Sequence, residues 1–424
     1  MYMSNSTIYC IIIDKSTILN PIKKFKIRFR DSILKTSTIL PFIYEKVSNI
    51  LILHTDDIKV KDIKDIRRIL RENFKDDEYT LTILDKSWID SINIGKLDQN
   101  DIITRMFIEV MKYIEKMNID KCNIIIDLTT TENFIVKYST YITSRLLKSI
   151  LNINVEIYDK YFISSDEVNI VKLDVEGSYK VFAFIELLKF IRDNKYLDRE
   201  DRHWINNILI KIQEIISRLN EGFVFEAVDS YRRLIELTRF VLSKIKSVDI
   251  KNMLDVLMYR CLGVDLRYAE DYSYIMKNFI RTFSEIEYYI LNISKFCIMY
   301  LVLRLLYECY RHGFVDIDLV SVDNLCNIFE DFKIMKRLVK LLDVSEVSEV
   351  FHIVEKYSLC GFYKDLCVKR KCNYEDLCFI ECSGSLNVDR CKDLIMKIVD
   401  IVDKIDYYSK CELVKNILEK YLNC

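Results

Sequence analysis

Glycine and proline are scarce in this chain, seven and two among 424 residues. So little punctuation favours long helices and tight connections. Charge of one sign is missing too: 64 acidic residues face 63 basic ones. That balance argues against binding long duplex nucleic acid by bulk electrostatics, while leaving room for a local basic groove. Neither a helix-turn-helix nor a basic helix is recognisable, so a conventional transcription factor is not expected. The most apolar run, Phe296 to Leu306, is short and carries Arg304, too little to span a bilayer. No basic segment followed by an apolar one opens the chain, so a signal peptide is not expected. Half of the residues are apolar and 30% are charged, a globular composition with enough length for two domains and a large core. A cytoplasmic protein without membrane attachment is the expectation.

Paired C-x2-C knuckles are also absent, although cysteines number fourteen. Six of them, Cys360, Cys367, Cys372, Cys378, Cys382 and Cys391, cluster in one segment, with His352 the nearest imidazole. Without knuckles a zinc ribbon is disfavoured, and no metal is expected. Structural disulfides suit a hyperthermophilic, archaeal source, which the abundance of Ile, Lys and Glu fits. Scattered members such as Cys122, Cys261 and Cys297 read as buried free thiols.

What is present is most informative at Asn123-Ile-Ile-Ile-Asp-Leu-Thr-Thr-Thr-Glu-Asn133. Three isoleucines make a buried strand. Asp127 ends it, and Thr129, Thr130 and Thr131 offer hydroxyls and a helix N-cap. A helix follows through Ile135, Tyr138, Ile142, Leu146 and Leu147. A strand that hands over to a helix N-terminus in an open α/β sheet is where anions bind, since free N–H groups and the helix dipole point there. The same residues also make a well-capped strand–helix turn with no ligand.

Residues 1–175 alternate between the two patterns. Strands are expected at Ile8–Ile13, Ile50–His54, Thr80–Leu84, Asn123–Ile126, Asn154–Tyr158 and Val168–Leu173. Helices are expected at Ile63–Asn73, Asp101–Lys116 and Asn133–Leu151. This predicts a Rossmann-like α/β domain with a mainly parallel sheet. Lys24, Lys26, Arg28 and Arg30 alternate with Phe25, Ile27 and Phe29, a half-exposed basic strand that also reads as a solvated edge strand. After a short hinge at Val175–Tyr179, residues 176–424 show helical stripes alone. Examples are Val181, Phe184, Ile185, Leu188 and Ile191, and Trp204, Ile208, Ile212, Ile215 and Leu219. Long helical patterns cover Tyr274–Tyr310, Val320–Leu342, Val347–Tyr357 and Arg390–Leu422. An all-α domain is expected there, with the Cys-rich segment at 360–391.

Several motifs in this order resemble the CARF (CRISPR-associated Rossmann fold) sensor, and the whole chain resembles its CARF–HEPN ribonuclease branch. Asn20-Pro21 follows the first strand, where that branch has a Gly-Asn-Pro turn. Lys35-Thr-Ser-Thr-Ile-Leu-Pro41 is similar to its Ser/Thr-rich segment, and Leu53-His-Thr-Asp-Asp57 to the loop after its second strand. Asp127-Leu-Thr-Thr-Thr-Glu-Asn133 resembles its Asp-x-Thr-His-Gly-x-Asn motif, with Thr130 and Thr131 standing where His and Gly are usual. The resemblance implies a type III CRISPR ancillary effector in antiviral defence, with a cyclic oligoadenylate as activating ligand and no cofactor. The implied ligand residues are Asp14, Asn20, Ser37, Thr38, Asp127, Thr129, Thr130, Thr131 and Asn133. A symmetric ring is matched by a two-fold pair of sensors, so a homodimer is expected.

The second half resembles the helical HEPN ribonuclease module, whose signature is Arg, four to six residues, then His. Here seven residues separate Arg304 from His312, and Arg311 adjoins it. The resemblance implies metal-independent cleavage of single-stranded RNA, with His312, Arg311 and Arg304 as catalytic residues. An imidazole can exchange a proton with the ribose 2′-OH or the leaving oxygen, and a guanidinium can stabilise the phosphorane. Arg311 and His312 also suit a helix C-terminus, with Gly313 supplying the turn. Two other readings stay open: a receptor that has lost its nuclease and signals by oligomerising or binding a partner, and a sensor that itself cleaves the messenger.

Overall fold

The structure is a computed structural model that describes residues 6–14, 24–29, 32–37, 49–59, 61, 64, 88–116, 122–163, 167–264, 271–357 and 386–422. Its strands are β1 (Ser6–Ile13), β2 (Lys24–Phe29), β3 (Ser32–Ser37), β4 (Asn49–Thr55), β5 (Trp88–Gly95), β6 (Cys122–Asp127), β7 (Asn154–Phe162) and β8 (Glu167–Leu173). They form one eight-stranded sheet in the order β3-β2-β8-β7-β6-β1-β4-β5. Pairing is parallel except between β2 and β3 and between β7 and β8. Central strands are buried on both faces, which their composition explains. Ile8 to Ile13 is an unbroken apolar run in β1, and β4 is buried along its whole length. Continuous β-branched runs suit a parallel sheet covered on both sides.

Two sequence expectations need correction here. The basic strand Lys24–Phe29 lies between β3 and β8, so it is not an edge. The edge beyond β4 is Trp88–Gly95, whose irregular mix of polar and apolar residues does not carry the strand period. The strand expected at Thr80–Leu84 lies outside the described residues, as does nearly all of the helix expected at Ile63–Asn73.

Helices α1 (Gln99–Lys116) and α2 (Phe134–Leu151) pack with the sheet, and α3 (Lys180–Asp193) packs with both of them. The expected hinge is tied down. Lys148 Nζ donates to Val175 O at 2.7 Å, Ser178 N to Ser149 Oγ at 2.8 Å and Tyr141 OH to Asp174 O at 3.2 Å. From α3 onward the described residues hold helices only: α4 (Arg199–Glu221), α5 (Val224–Lys244), α6 (Val248–Leu262), α7 (Tyr272–Phe283), α8 (Ile290–Arg311), α9 (Val322–Glu330), α10 (Phe332–Leu341), α11 (Ser345–Tyr357), α12 (Val388–Ile401) and α13 (Cys411–Leu422). Secondary structure thus changes character between Leu173 and Lys180. Compactness divides the chain differently: one unit is Met1–Leu209 with Val241–Cys261, the other Ile210–Phe240 with Leu262–Cys424.

The second unit is organised around α8, which is apolar nearly all round and packs against α11, α12 and α13. By length and composition Glu287–Arg311 could cross a membrane, contrary to the sequence expectation, but most of its apolar side chains are buried in the unit's core. Burial explains its hydropathy, because a helix surrounded by other helices needs no polar face. The expected helix Val320–Leu342 is two helices. Asp331 ends α9 and caps α10, accepting from Lys333 N at 2.7 Å and Ile334 N at 3.2 Å. A short polar side chain offers the backbone a local partner and so punctuates an otherwise helical run. Similarly, Ser284 to Ile286 and a 3-10 turn separate α7 from α8.

Candidate functional site

The sheet reverses direction at β1. After β2 and β3, which lie at the far end of the sheet, the chain adds β4 and β5 on one side of β1, and later β6 and β7 on the other. In open α/β sheets the crevice outside the carboxyl ends of the strands at such a reversal is the usual ligand site. Asp14 after β1, His54 and Thr55 on β4 and Asp127 on β6 mark those carboxyl ends, and all four are buried.

Asp127 is fully buried beneath this crevice. Tyr9 OH donates to its Oδ2 at 2.5 Å and Thr129 N to its Oδ1 at 2.8 Å. Burial pushes the Asp127 carboxyl up, against the opposing pull of its bonds to Thr129 and Tyr9. Burial, with Asp127 alongside, also pushes the Tyr9 phenol well up. The threonines stitch the turn to the sheet. Thr130 Oγ1 donates to Ile12 O, and Thr131 Oγ1 donates to Asp14 Oδ2 while accepting from Asn133 N at 3.1 Å. Asn133 is the N-cap of α2, its Oδ1 accepting from Ile135 N at 2.9 Å and Val136 N at 3.4 Å. The structure therefore brings Asp14, Asp127, Thr129, Thr130, Thr131 and Asn133 together. It commits the side chains of Thr130, Thr131 and Asn133 to building the turn.

Other expected ligand residues are not brought here. Asn20 and Thr38 lie outside the described residues. Ser37 ends β3, four strand spacings from β6, which is about 19 Å. In contrast, Phe134, Ile135 and Tyr138 are exposed at the start of α2, with the two rings stacked at 6.0 Å. Of the residues whose spacing marks this helix, Ile142, Leu146 and Leu147 are buried, whereas Ile135 and Tyr138 are exposed.

In the second unit, His312 is the C-cap of α8, its N–H bonded to Glu308 O at 3.1 Å. Gly313 takes a left-handed φ of 74°, and Phe314 N reaches back to Cys309 O at 2.9 Å. The expected cap role of this segment is therefore real. His312 Nε2 lies 3.7 Å from Glu308 Oε2, and its ring meets the edge of Tyr408 at 4.8 Å. Arg311 is mostly exposed, 3.9 Å from the same Glu308 oxygen. The negative end of the helix favours a cation here. Arg304 is not part of this group. It sits eight residues earlier, about 12 Å along the helix axis. Its Nη1 donates to Asp403 Oδ1 at 2.8 Å, and its guanidinium lies 5.1 Å over the Tyr407 ring. Asp403 also accepts from Lys277, and hydrogen bonds from Lys277 and Arg304 hold its carboxyl below the usual range.

A disulfide joins Cys309 to Cys411 with a sequence separation of 102, both residues buried. It fastens the last turn of α8 to the segment carrying Tyr408. Sequence reasoning missed Glu308, which its position four residues before His312 could have flagged. It also missed Tyr408 and this disulfide, for which no local signal exists. Cys122 and Cys297 are buried free thiols as expected, as are Cys10 and Cys391, and Cys261 is buried. The rest of the 360–391 cysteine segment up to Cys382 lies outside the described residues. Among the described residues no group of three or more His, Cys, Asp or Glu could hold a metal ion.

No family model matches the chain, and no curated protein matches it. Among solved structures, Enterococcus italicus Csm6 bound to cyclic hexa-2'-fluoro-hexa-dAMP aligns with 98% of this chain and 100% of its own, at 10% identity and a TM-score of 0.25. That superposition is too loose to assign a fold or a function.

Proposed function

We propose that this chain is a ligand-gated effector of the CARF–HEPN type, acting in type III CRISPR antiviral defence in the cytoplasm. Its α/β part, residues 1–175, binds a cyclic oligoadenylate as a homodimer. Its HEPN-like part, residues 176–424, then cuts single-stranded RNA without a metal. The supporting observation is the crevice at the strand-order reversal, where a buried Asp127 and a stitched threonine turn present the start of α2. Backbone N–H groups and the helix dipole at that point suit a phosphate. In the effector, His312 exchanges the proton of the ribose 2′-OH while Arg311 neutralises charge on the phosphorane. Glu308 orients the imidazole, and Arg304 contributes to packing rather than chemistry.

The test is cleavage of a fluorescent single-stranded RNA in EDTA, with and without cyclic tetra- or hexa-adenylate. Cleavage that appears with one ring and vanishes in His312→Ala is the expected result. A second reading, a receptor without nuclease activity, is favoured by the engagement of Arg304 with Asp403. Ligand binding with no cleavage would select it. No binding of either ring would overturn both.

A further inference from the structure

Tyr407 and Tyr408 open the 3-10 turn that leads into α13. Tyr407 faces inward: it is buried, its hydroxyl donates to Val402 O at 2.9 Å, and the Arg304 guanidinium lies over its ring. Tyr408 faces outward and is 56% exposed. The turn that carries it is braced. Ser409 N donates to Asp406 Oδ1 at 3.3 Å, Ser409 Oγ donates to Asp406 O at 3.2 Å, and Cys411 is bonded to Cys309 of α8. A large ring on a fixed turn gives up little freedom on meeting a ligand.

Single exposed tyrosines are ordinary, so what matters is where this one stands. The His312 imidazole is 4.8 Å away and the Phe314 ring 5.6 Å away, centroid to centroid, at interplanar angles of 76° and 80°. Neither ring stacks flat on it. His312 and Arg311 approach the same Glu308 oxygen, at 3.7 and 3.9 Å, and the Arg311 side chain is 66% exposed. One patch thus offers a proton-exchanging imidazole, a guanidinium and a flat aromatic surface. A phosphodiester with an unpaired base beside it can use all three.

We propose that Tyr408 positions the substrate, stacking on an unpaired base next to the scissile bond while Arg311 meets the adjoining phosphate. This rests on His312 being the residue that exchanges the proton. Every base has a π-face, so a tyrosine platform accepts all four with little sequence preference. A duplex keeps its bases stacked inside and offers none to a side chain, so the same ring selects single strands. Charge decides between a nucleic acid and a protein partner. An aromatic anchor for a protein sits in a well-packed, desolvated pocket, whereas Tyr408 stands in the open beside His312, which shares Glu308 with Arg311.

The test is steady-state cleavage, by the full chain, of a single-stranded RNA whose cut site has been mapped, with cyclic tetra- or hexa-adenylate as activator. Tyr408→Leu removes the flat ring and keeps an apolar contact for Phe314. Expected is a KM raised about tenfold with kcat within about twofold, and wild-type values in Tyr408→Phe. An abasic residue on one side of the cut should raise the wild-type KM about tenfold. It should add nothing in Tyr408→Leu, because the stack it removes is already lost. A KM unchanged in Tyr408→Leu, a loss confined to kcat, or abasic penalties that add in full on both sides of the cut would each overturn the proposal. All three would leave His312 standing as the nuclease residue. Absence of cleavage by the wild type with either ring would overturn both.

Discussion

Replacing Tyr9 by Phe removes the phenol that donates to Asp127 and keeps the ring, so it tests how Asp127 is held. The bond is 2.5 Å long, its acceptor is a carboxylate, and both residues are wholly buried. Loss of a hydrogen bond to a charged group costs about 1.5–3 kcal/mol. In an Asp127→Asn background the acceptor is neutral, and the same change should cost about 1 kcal/mol. The coupling is then about 0.5–2 kcal/mol, against a scatter of about 0.3–0.5 kcal/mol for independent sites. Both tryptophans, Trp88 and Trp204, belong to the sheet unit. Urea unfolding followed by tryptophan fluorescence therefore reports on that unit alone. The pH dependence has a definite sign. Burial raises the Asp127 carboxyl above its unfolded value of about 3.9, so the native state keeps the proton longer than the unfolded chain. This group's contribution is complete below about pH 4 and is lost as pH rises through the raised value. Asp127→Asn should flatten that limb and be no less stable than wild type at neutral pH. Equal costs for Tyr9→Phe in the two backgrounds, or an Asp127→Asn protein whose stability still falls over the same limb, would refute the reasoning.

Breaking the Cys309–Cys411 bridge by Cys411→Ser frees a loop of about a hundred residues, which the chain-entropy estimate puts at about 4–5 kcal/mol. Far-UV circular dichroism of the variant and of the reduced wild type in denaturant should both show an earlier helical transition. Asp403→Asn should remove an acid limb of opposite sign to that of Asp127. The depressed Asp403 carboxyl stabilises above its unfolded value and loses that contribution as pH falls through the lower one. Its partial exposure limits the effect to about 1 kcal/mol, read by thermal unfolding between pH 2 and about pH 7. Gly95→Ala should destabilise the sheet unit by about 2 kcal/mol or more, through strain at positive φ and collision with Asp101. Tryptophan fluorescence unfolding would show it.

Much of the sheet was legible locally. The isoleucine runs of β1 and β6 and the apolar run of β4 carry their own evidence, since a continuous apolar stretch cannot rest on a solvated face. The Asp127–Asn133 turn was legible as well, because a cap and its helix are neighbours in sequence, but the N-cap is Asn133 rather than one of Thr129, Thr130 and Thr131. Trp88–Gly95 was missed because an edge strand mixes polar and apolar residues. Splitting of Val320–Leu342 at Asp331 was missed because one capping side chain interrupts an unbroken periodicity.

What the sequence alone determined is the alternation of strands and helices followed by helices, and the polar turn that ends β6. Each of these is set by short-range periodicity and capping. Only the tertiary structure decided that β1 is where the sheet reverses, and that Thr130, Thr131 and Asn133 spend their side chains on the turn. It alone paired Arg304 with Asp403 and set Tyr408 beside His312. These outcomes depend on which distant segments pack together, and no local pattern of residues encodes that choice.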